Sequence, residues 1–227
     1  MKWAKKVFIY VLGFFILAVG INISKLAGLG ISPVSSIPYA CELIFGIELG
    51  KATYIIYIGL ILLQIILLRK DYKIRNLLQI VSTFVLGTFI TYTGNEYLLF
   101  WLPEPSTYIL QLVYLLISIV VIGIGVSLYL CSNIMMLPAE GLCGAIVQVS
   151  KDKLNFGNAK VCVDSGMVII SAILSIIFLG KLTTVREGTI LAAILVGKVV
   201  GFFLKNYRKK IIDWFDIDLF KKVEVEV

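Results

Sequence analysis

The sequence predicts an all-α polytopic membrane protein made of two inverted repeats, each with three transmembrane helices and one short re-entrant half-helix. Three observations predict it: a composition too apolar for a water-soluble domain, six apolar runs of spanning length, and glycines and prolines that recur at a nearly constant offset. Of the 227 residues, 59% are hydrophobic and 15% charged, whereas a soluble domain carries about 25% charged residues. A mean hydropathy of +0.98 also excludes a disordered chain, because low hydrophobicity is what keeps chains unfolded.

The six runs lie near 7–24, 52–68, 76–94, 108–131, 158–179 and 188–204. Crossing a hydrocarbon core of ~30 Å takes about 20 residues. The first run follows Lys2, Lys5 and Lys6 and has the outline of a signal peptide. It has a repeat partner later in the chain, however, and is read as the first span. Two shorter stretches, near 33–47 and 138–150, begin with Pro33 and Pro138. At that length they are expected to enter and leave by the same face, the alternative being eight spanning helices.

Charge separates the two topologies. With six crossings and a cytoplasmic N-terminus, sixteen Lys and Arg flank the cytoplasmic ends and four (Lys25, Lys51, Lys181, Arg186) lie outside, with Lys198 inside the last span. Eight crossings give thirteen against seven. Short cytoplasmic loops are enriched in Lys and Arg, so six crossings fit better. Both termini are then cytoplasmic. The loop 95–107, with Glu96 and Glu104 and no base, is external.

The two halves correspond residue by residue. Gly20 and Pro33 match Gly125 and Pro138 at an offset of 105, and Gly28 falls opposite Asn133. Glycine and asparagine share a tolerance for positive φ. Gly50 and Gly59 match Gly157 and Gly166 at 107, and Gly87 matches Gly197 at 110. The expected units are an N-terminal repeat, 1–107, a C-terminal repeat, 108–204, and a tail, 205–227. Three crossings per half is odd, so the second half enters the membrane upside down. Inverted repeats with broken helices are a recurring plan of secondary transporters. Broken backbone must be shielded from lipid, and two half-helix N-termini aim free N–H groups and positive dipole ends at a central site.

The segments LGISPVSS (29–36) and LPAEG (137–141), with VDSG (163–166) and EGTILAAILVG (187–197), resemble the YczE/YyaS/YitT group of bacterial membrane proteins over roughly residues 8–204. The resemblance implies a polytopic membrane protein with a transport role and no defined substrate. Ser35 stands where the group often has an acidic residue, and Tyr57 replaces the counterpart of Asp164. Functional carboxylates would therefore concentrate in the second half.

Asp164 lies two turns into an apolar helix, where an ionisable side chain costs at least ~2.5–3.5 kcal/mol and usually faces a cavity or a partner. The competing reading is a structural pair with Lys160 one turn earlier; Lys160 alone would be a snorkelling anchor. Glu140, two residues after Pro138, is either a coupling carboxylate or a simple complement to the helix dipole. Glu42 is the third acidic candidate. Ser35, Ser36, Gln79 and Thr189 are intramembrane polar residues that contact substrate or only neighbouring helices. Tyr54, Tyr92, Tyr97, Trp101 and Tyr108 suit an interfacial belt, while Tyr57 joins the site candidates. Cys41, Cys131, Cys143 and Cys162 are expected to be buried, inert thiols. Ile211, Phe215 and Leu219, with Ile212 and Phe220 near them, give 205–222 an apolar stripe bracketed by bases. That predicts an amphipathic helix on the cytoplasmic membrane surface or a contact with a partner protein.

The chain has no histidine and no phosphate-loop motif, so a catalytic triad or an ATPase is not expected. The protein is read as no enzyme, with no cofactor, no metal site and no nucleic-acid partner. The expected function is a secondary transporter or exporter of a small organic solute working by alternating access. Alternatives are the substrate-binding membrane subunit of a vitamin-type importer and a non-transporting scaffold. The importer subunits often show an Ala-x-x-x-Ala face in the first helix, absent from 7–24. Expected partners are the lipid bilayer and a small-molecule substrate; a cationic solute, proton or cation coupling and a homodimer remain open.

Overall fold

The structure, a computed structural model, describes residues 2–94, 96–151 and 153–215. In chain order its helices are α1 (Lys2–Ala27), α2 (Pro33–Phe45), α3 (Leu49–Leu68), α4 (Gln79–Tyr92), α5 (Tyr108–Ser132), α6 (Pro138–Val149), α7 (Phe156–Leu179) and α8 (Glu187–Phe215). Two 3-10 turns, Arg69–Asp71 and Ile74–Leu78, join α3 to α4. Among the described residues, six helices are long and apolar enough to cross a membrane, and they coincide with the six predicted runs. The two short helices have 13 and 12 residues, which at 1.5 Å per residue reach about two-thirds of the way across.

The short helices begin and end for local reasons. α1 stops at Gly28 (φ 67°) and α5 at Asn133 (φ 52°), both left-handed, as the pairing of those residues predicts. Left-handed backbone ends a helix, and only glycine and small polar residues adopt it cheaply. Pro33 and Pro138 then occupy the first positions of α2 and α6, where the missing N–H has no helical partner to lose.

α2 returns to the face it left. Lys25, at the end of α1, pairs with Glu42, at the end of α2, at 2.7 Å. Residues from the C-terminal end of α1, the N-terminal end of α3, the C-terminal end of α4 and the start of α5 line one mouth with Glu42. On the opposite face the ends of α3, α5 and α8, the start of α4 and α6 residues as far as Gln148 surround a second mouth. Tyr10 near the start of α1 bonds Ser82 (2.6 Å) and the Met135 carbonyl (3.1 Å) on that same side. Six crossings with two half-helices therefore replace the eight-span alternative. In a cysteine-free background, Ile74→Cys and Phe100→Cys, both on exposed loops, should label with impermeant maleimide from opposite faces. Labelling of both from one side would overturn this topology.

α1 and α5 run antiparallel through the centre, and glycines bring their backbones together. A Cβ on Gly20 would sit 2.8 Å from the Ile122 nitrogen, and one on Gly125 would sit 2.5 Å from the Leu17 nitrogen. At the offset of 105 these two contacts are counterparts of each other. α4 packs against α1, and α8 against α5.

The half-helices are held by the opposite half: α2 packs on α7, and α6 on α3. Ser36 donates to the Met167 carbonyl at 3.3 Å, and Ser171 donates to the Ser36 carbonyl at 2.9 Å. Across the centre, Gln64 donates to Gln79 and to the Pro138 carbonyl, both at 3.0 Å. These bonds tie α2 to α7 and α6 to α3 inside the membrane, where a buried hydroxyl or amide has no water to bond instead.

Three expectations need correction. Cys131 and Cys143 are buried and Cys41 half-buried, but Cys162 is exposed on the outer side of α7, among helix faces covered by lipid-type side chains such as Ile169, Ile173 and Ile176. Tyr54 is no free belt residue, since its hydroxyl pairs with Thr88 at 2.7 Å. α8 continues without a break past residue 204 to Phe215, so that part of the tail prolongs the span. The rest of the predicted surface helix, including Leu219 and Phe220, lies outside the described residues.

Candidate functional site

Between the two halves lies a cavity of about 390 Å³. Its first-half wall is the start of α2 (Ser32, Pro33, Ser35) and Tyr57 of α3. Its second-half wall carries Glu140 near the start of α6, Lys160 and Asp164 on α7, and Tyr129 on α5. The long side is the apolar face of α8, from Ala192 to Leu204. Both half-helices point their N-terminal ends into this space, so fixed dipoles converge where the chain is broken.

Lys160 and Asp164 are one turn apart on α7 and pair at 3.2 Å. Asp164 is 16% exposed and the Lys160 side chain 37%, so the carboxylate is the more enclosed of the two side chains. Glu140 is within electrostatic range of both. When all three are ionised the group carries one net negative charge. Tyr57 and Tyr129, 3% and 1% exposed, both lie within electrostatic range of Glu140. The Tyr129 hydroxyl and Glu140 Oε2 are both buried, and the two side chains interact with each other in this corner. A few polar groups converging in a mostly apolar cavity suit a guest with a polar end.

Of the predicted site residues, Ser35, Tyr57, Glu140, Lys160 and Asp164 come together. The other four do not. Ser36 bonds the carbonyls of Pro33 and Met167. Glu42 is taken by Lys25 at the opposite mouth. Gln79 accepts from Gln64 and faces the neighbouring vestibule. Thr189 is buried at the start of α8, accepting from the Arg186 nitrogen. Sequence reasoning missed Tyr129 and Gln64. A lone amide inside the apolar run LILLQIILL was a usable signal, since buried amides require partners. Tyr129 carried none, because an aromatic in an apolar helix ordinarily reads as core.

The cavity adjoins a vestibule at one face. It shares Tyr129, Leu130, Met136, Glu140, Gly201 and Leu204 with a vestibule of about 960 Å³. Lys73, Arg75, Lys205 and Arg208 line that vestibule. The mouth on the opposite face, about 540 Å³, has no lining residue in common with the cavity and is acidic, with Glu42, Glu48, Glu96 and Glu104 against Lys25. Thus one vestibule is basic and shares a wall with the site, and the other is acidic and shares none. Among the described residues no cluster of three or more metal-ligating side chains occurs.

No solved structure matches this chain. It is similar to the uncharacterized protein YyaS of Bacillus subtilis, with 26% identity over 198 residues, covering 86% of this chain and 90% of that one. An uncharacterized protein of Haemophilus influenzae is 26% identical over 201 residues, covering 88% and 84%. The profile of a family of unknown function, DUF6198, matches residues 4–205. Because that match takes in both half-helices, four spans whole and most of the first and last, the chain belongs to the DUF6198 family.

Proposed function

We propose that this protein is a secondary transporter of a small organic solute, built as an inverted repeat and working by alternating access in the bacterial plasma membrane. The observation that supports it most is the central cavity, where both half-helix ends and Ser35, Tyr57, Glu140, Lys160 and Asp164 meet. Half-helix ends at a repeat interface are where transporters of this plan bind their cargo. The cavity's one excess negative charge and long apolar wall favour a cationic solute with an apolar body. Glu140 and Asp164 are the groups to take up a coupling proton or cation. The basic vestibule and both chain ends lie on the cytoplasmic side, because short cytoplasmic loops collect Lys and Arg.

Purified protein in liposomes, without any ATPase, should move members of a panel of alkyl- and arylammonium ions down an imposed gradient. An importer subunit or a scaffold would move none. Asp164→Asn should abolish this flux or its pH dependence while the protein remains folded and inserted. Full flux in Asp164→Asn would reduce Asp164 to the structural partner of Lys160.

A further inference from the structure

The two halves pack alike at the centre but differ at one seam. In the first half α3 and α4 are sealed together. A Cβ on Gly50 would strike the Gly87 carbonyl oxygen, and one on Gly87 would strike the Tyr54 ring. The Tyr54–Thr88 pair and a bond from Thr91 to Glu48 (3.4 Å) lie along the same line. The acidic mouth ends at this seam, with Leu49, Gly50, Ile90 and Thr91 among its walls.

The counterparts of Gly50 and Gly87 are Gly157 on α7 and Gly197 on α8. Here no such seam forms. A Cβ on Gly197 would meet nothing within 4 Å, and one on Gly157 would meet only Asn155, two residues earlier, at 3.6 Å. Both glycines instead line the central cavity, α7 on one side and α8 on the other. Glycine inside a helix costs about 0.5–1 kcal/mol relative to alanine, and in this arrangement no close contact at Gly197 offsets it. Emptiness alone decides little, since Gly59 and Gly166 are open in both halves. The informative fact is that one matched pair is closed on itself and its partner pair stands apart across the cavity.

We infer that the α7–α8 seam is a gate that closes by bringing Gly157 against Gly197, and that the α3–α4 seam opens at Gly50 and Gly87 in the same movement. The structure is then the state open toward the basic vestibule, and its mirror state is open toward the acidic one. This deepens the transporter reading and rests on it for its purpose, but the movement itself is testable without any substrate.

The test uses full-length protein in membranes, in a background with the four cysteines replaced. Gly157→Cys/Gly197→Cys should form a disulfide on oxidation with copper phenanthroline, because closure to the geometry of the first-half seam brings the two positions into the Cα range of a disulfide, about 4.4–6.8 Å. Adding Gly87→Ala, which wedges the opposite seam, should speed that cross-link about tenfold, the effect of a clash of this size on a two-state equilibrium. Should Gly87→Ala not fold, the double cysteine variant alone still decides. Each single cysteine reacting with maleimide while the pair never cross-links would mean that α7 and α8 are fixed apart, and the gate falls. Flux without cross-linking would overturn the gate and leave transport standing. Cross-linking without flux would uphold the gate and count against transport.

Discussion

Gly125→Ala should destabilise the bundle by about 2–3 kcal/mol, the upper range for overpacking a tight core, as measured by unfolding in mixed detergent micelles. The added carbon would lie 2.5 Å from the Leu17 nitrogen and 2.8 Å from the Gly13 carbonyl oxygen. Both are backbone atoms of a long helix, so neither can swing aside as a side chain would. Helices in lipid gain no hydrophobic energy from meeting each other and depend on close packing of small residues. Pushing α1 and α5 apart therefore loosens the contact on which both halves are built. Gly166→Ala is the control, since nothing lies within 4 Å of its Cβ position; that change should move stability by less than about 0.5 kcal/mol. Equal effects from the two variants would mean that the α1–α5 crossing is looser than the structure has it.

The helix boundaries were legible because they depend on single residues. Gly28, Asn133, Pro33 and Pro138 each do in the structure what their chemistry allows. The spans were legible because apolar length is a local property. The partners of polar residues were not, because they are set by which chain ends meet in space. Glu42 reads as a site candidate until the end of α2 is seen folded back against Lys25. Gln79 reads as a substrate contact until Gln64, fifteen residues away, is found to occupy it. The difference between the α3–α4 and α7–α8 seams was beyond reach for another reason. A repeat in sequence predicts equivalence, and two equivalent seams can sit in different states at one moment.

Lys160→Met should be more destabilising than Asp164→Asn, although the two remove partners of one pair. Removing the carboxylate leaves Lys160 with Glu140 still within electrostatic range, a neutral couple. Removing the ammonium leaves Asp164 and Glu140 as two carboxylates in one mostly enclosed space with no cation. Breaking a fully buried ion pair from one side costs about 3–5 kcal/mol. Lys160 is 37% exposed, and solvent screens part of the charge, so about 1–3 kcal/mol is the expected loss here. The double variant Lys160→Met/Asp164→Asn removes the second carboxylate along with the ammonium and should recover most of that loss in a thermal melt, because it leaves only Glu140, beside Tyr129. On the transporter reading it should not recover flux of the ammonium panel, since the carboxylate proposed to engage the solute on α7 is gone with the pair. Stability and transport therefore separate in the double variant if the three ionisable groups form a binding site. A Lys160→Met protein as stable and as active as the parent would instead make Lys160 an interfacial anchor, with its ammonium turned to the vestibule and Asp164 idle.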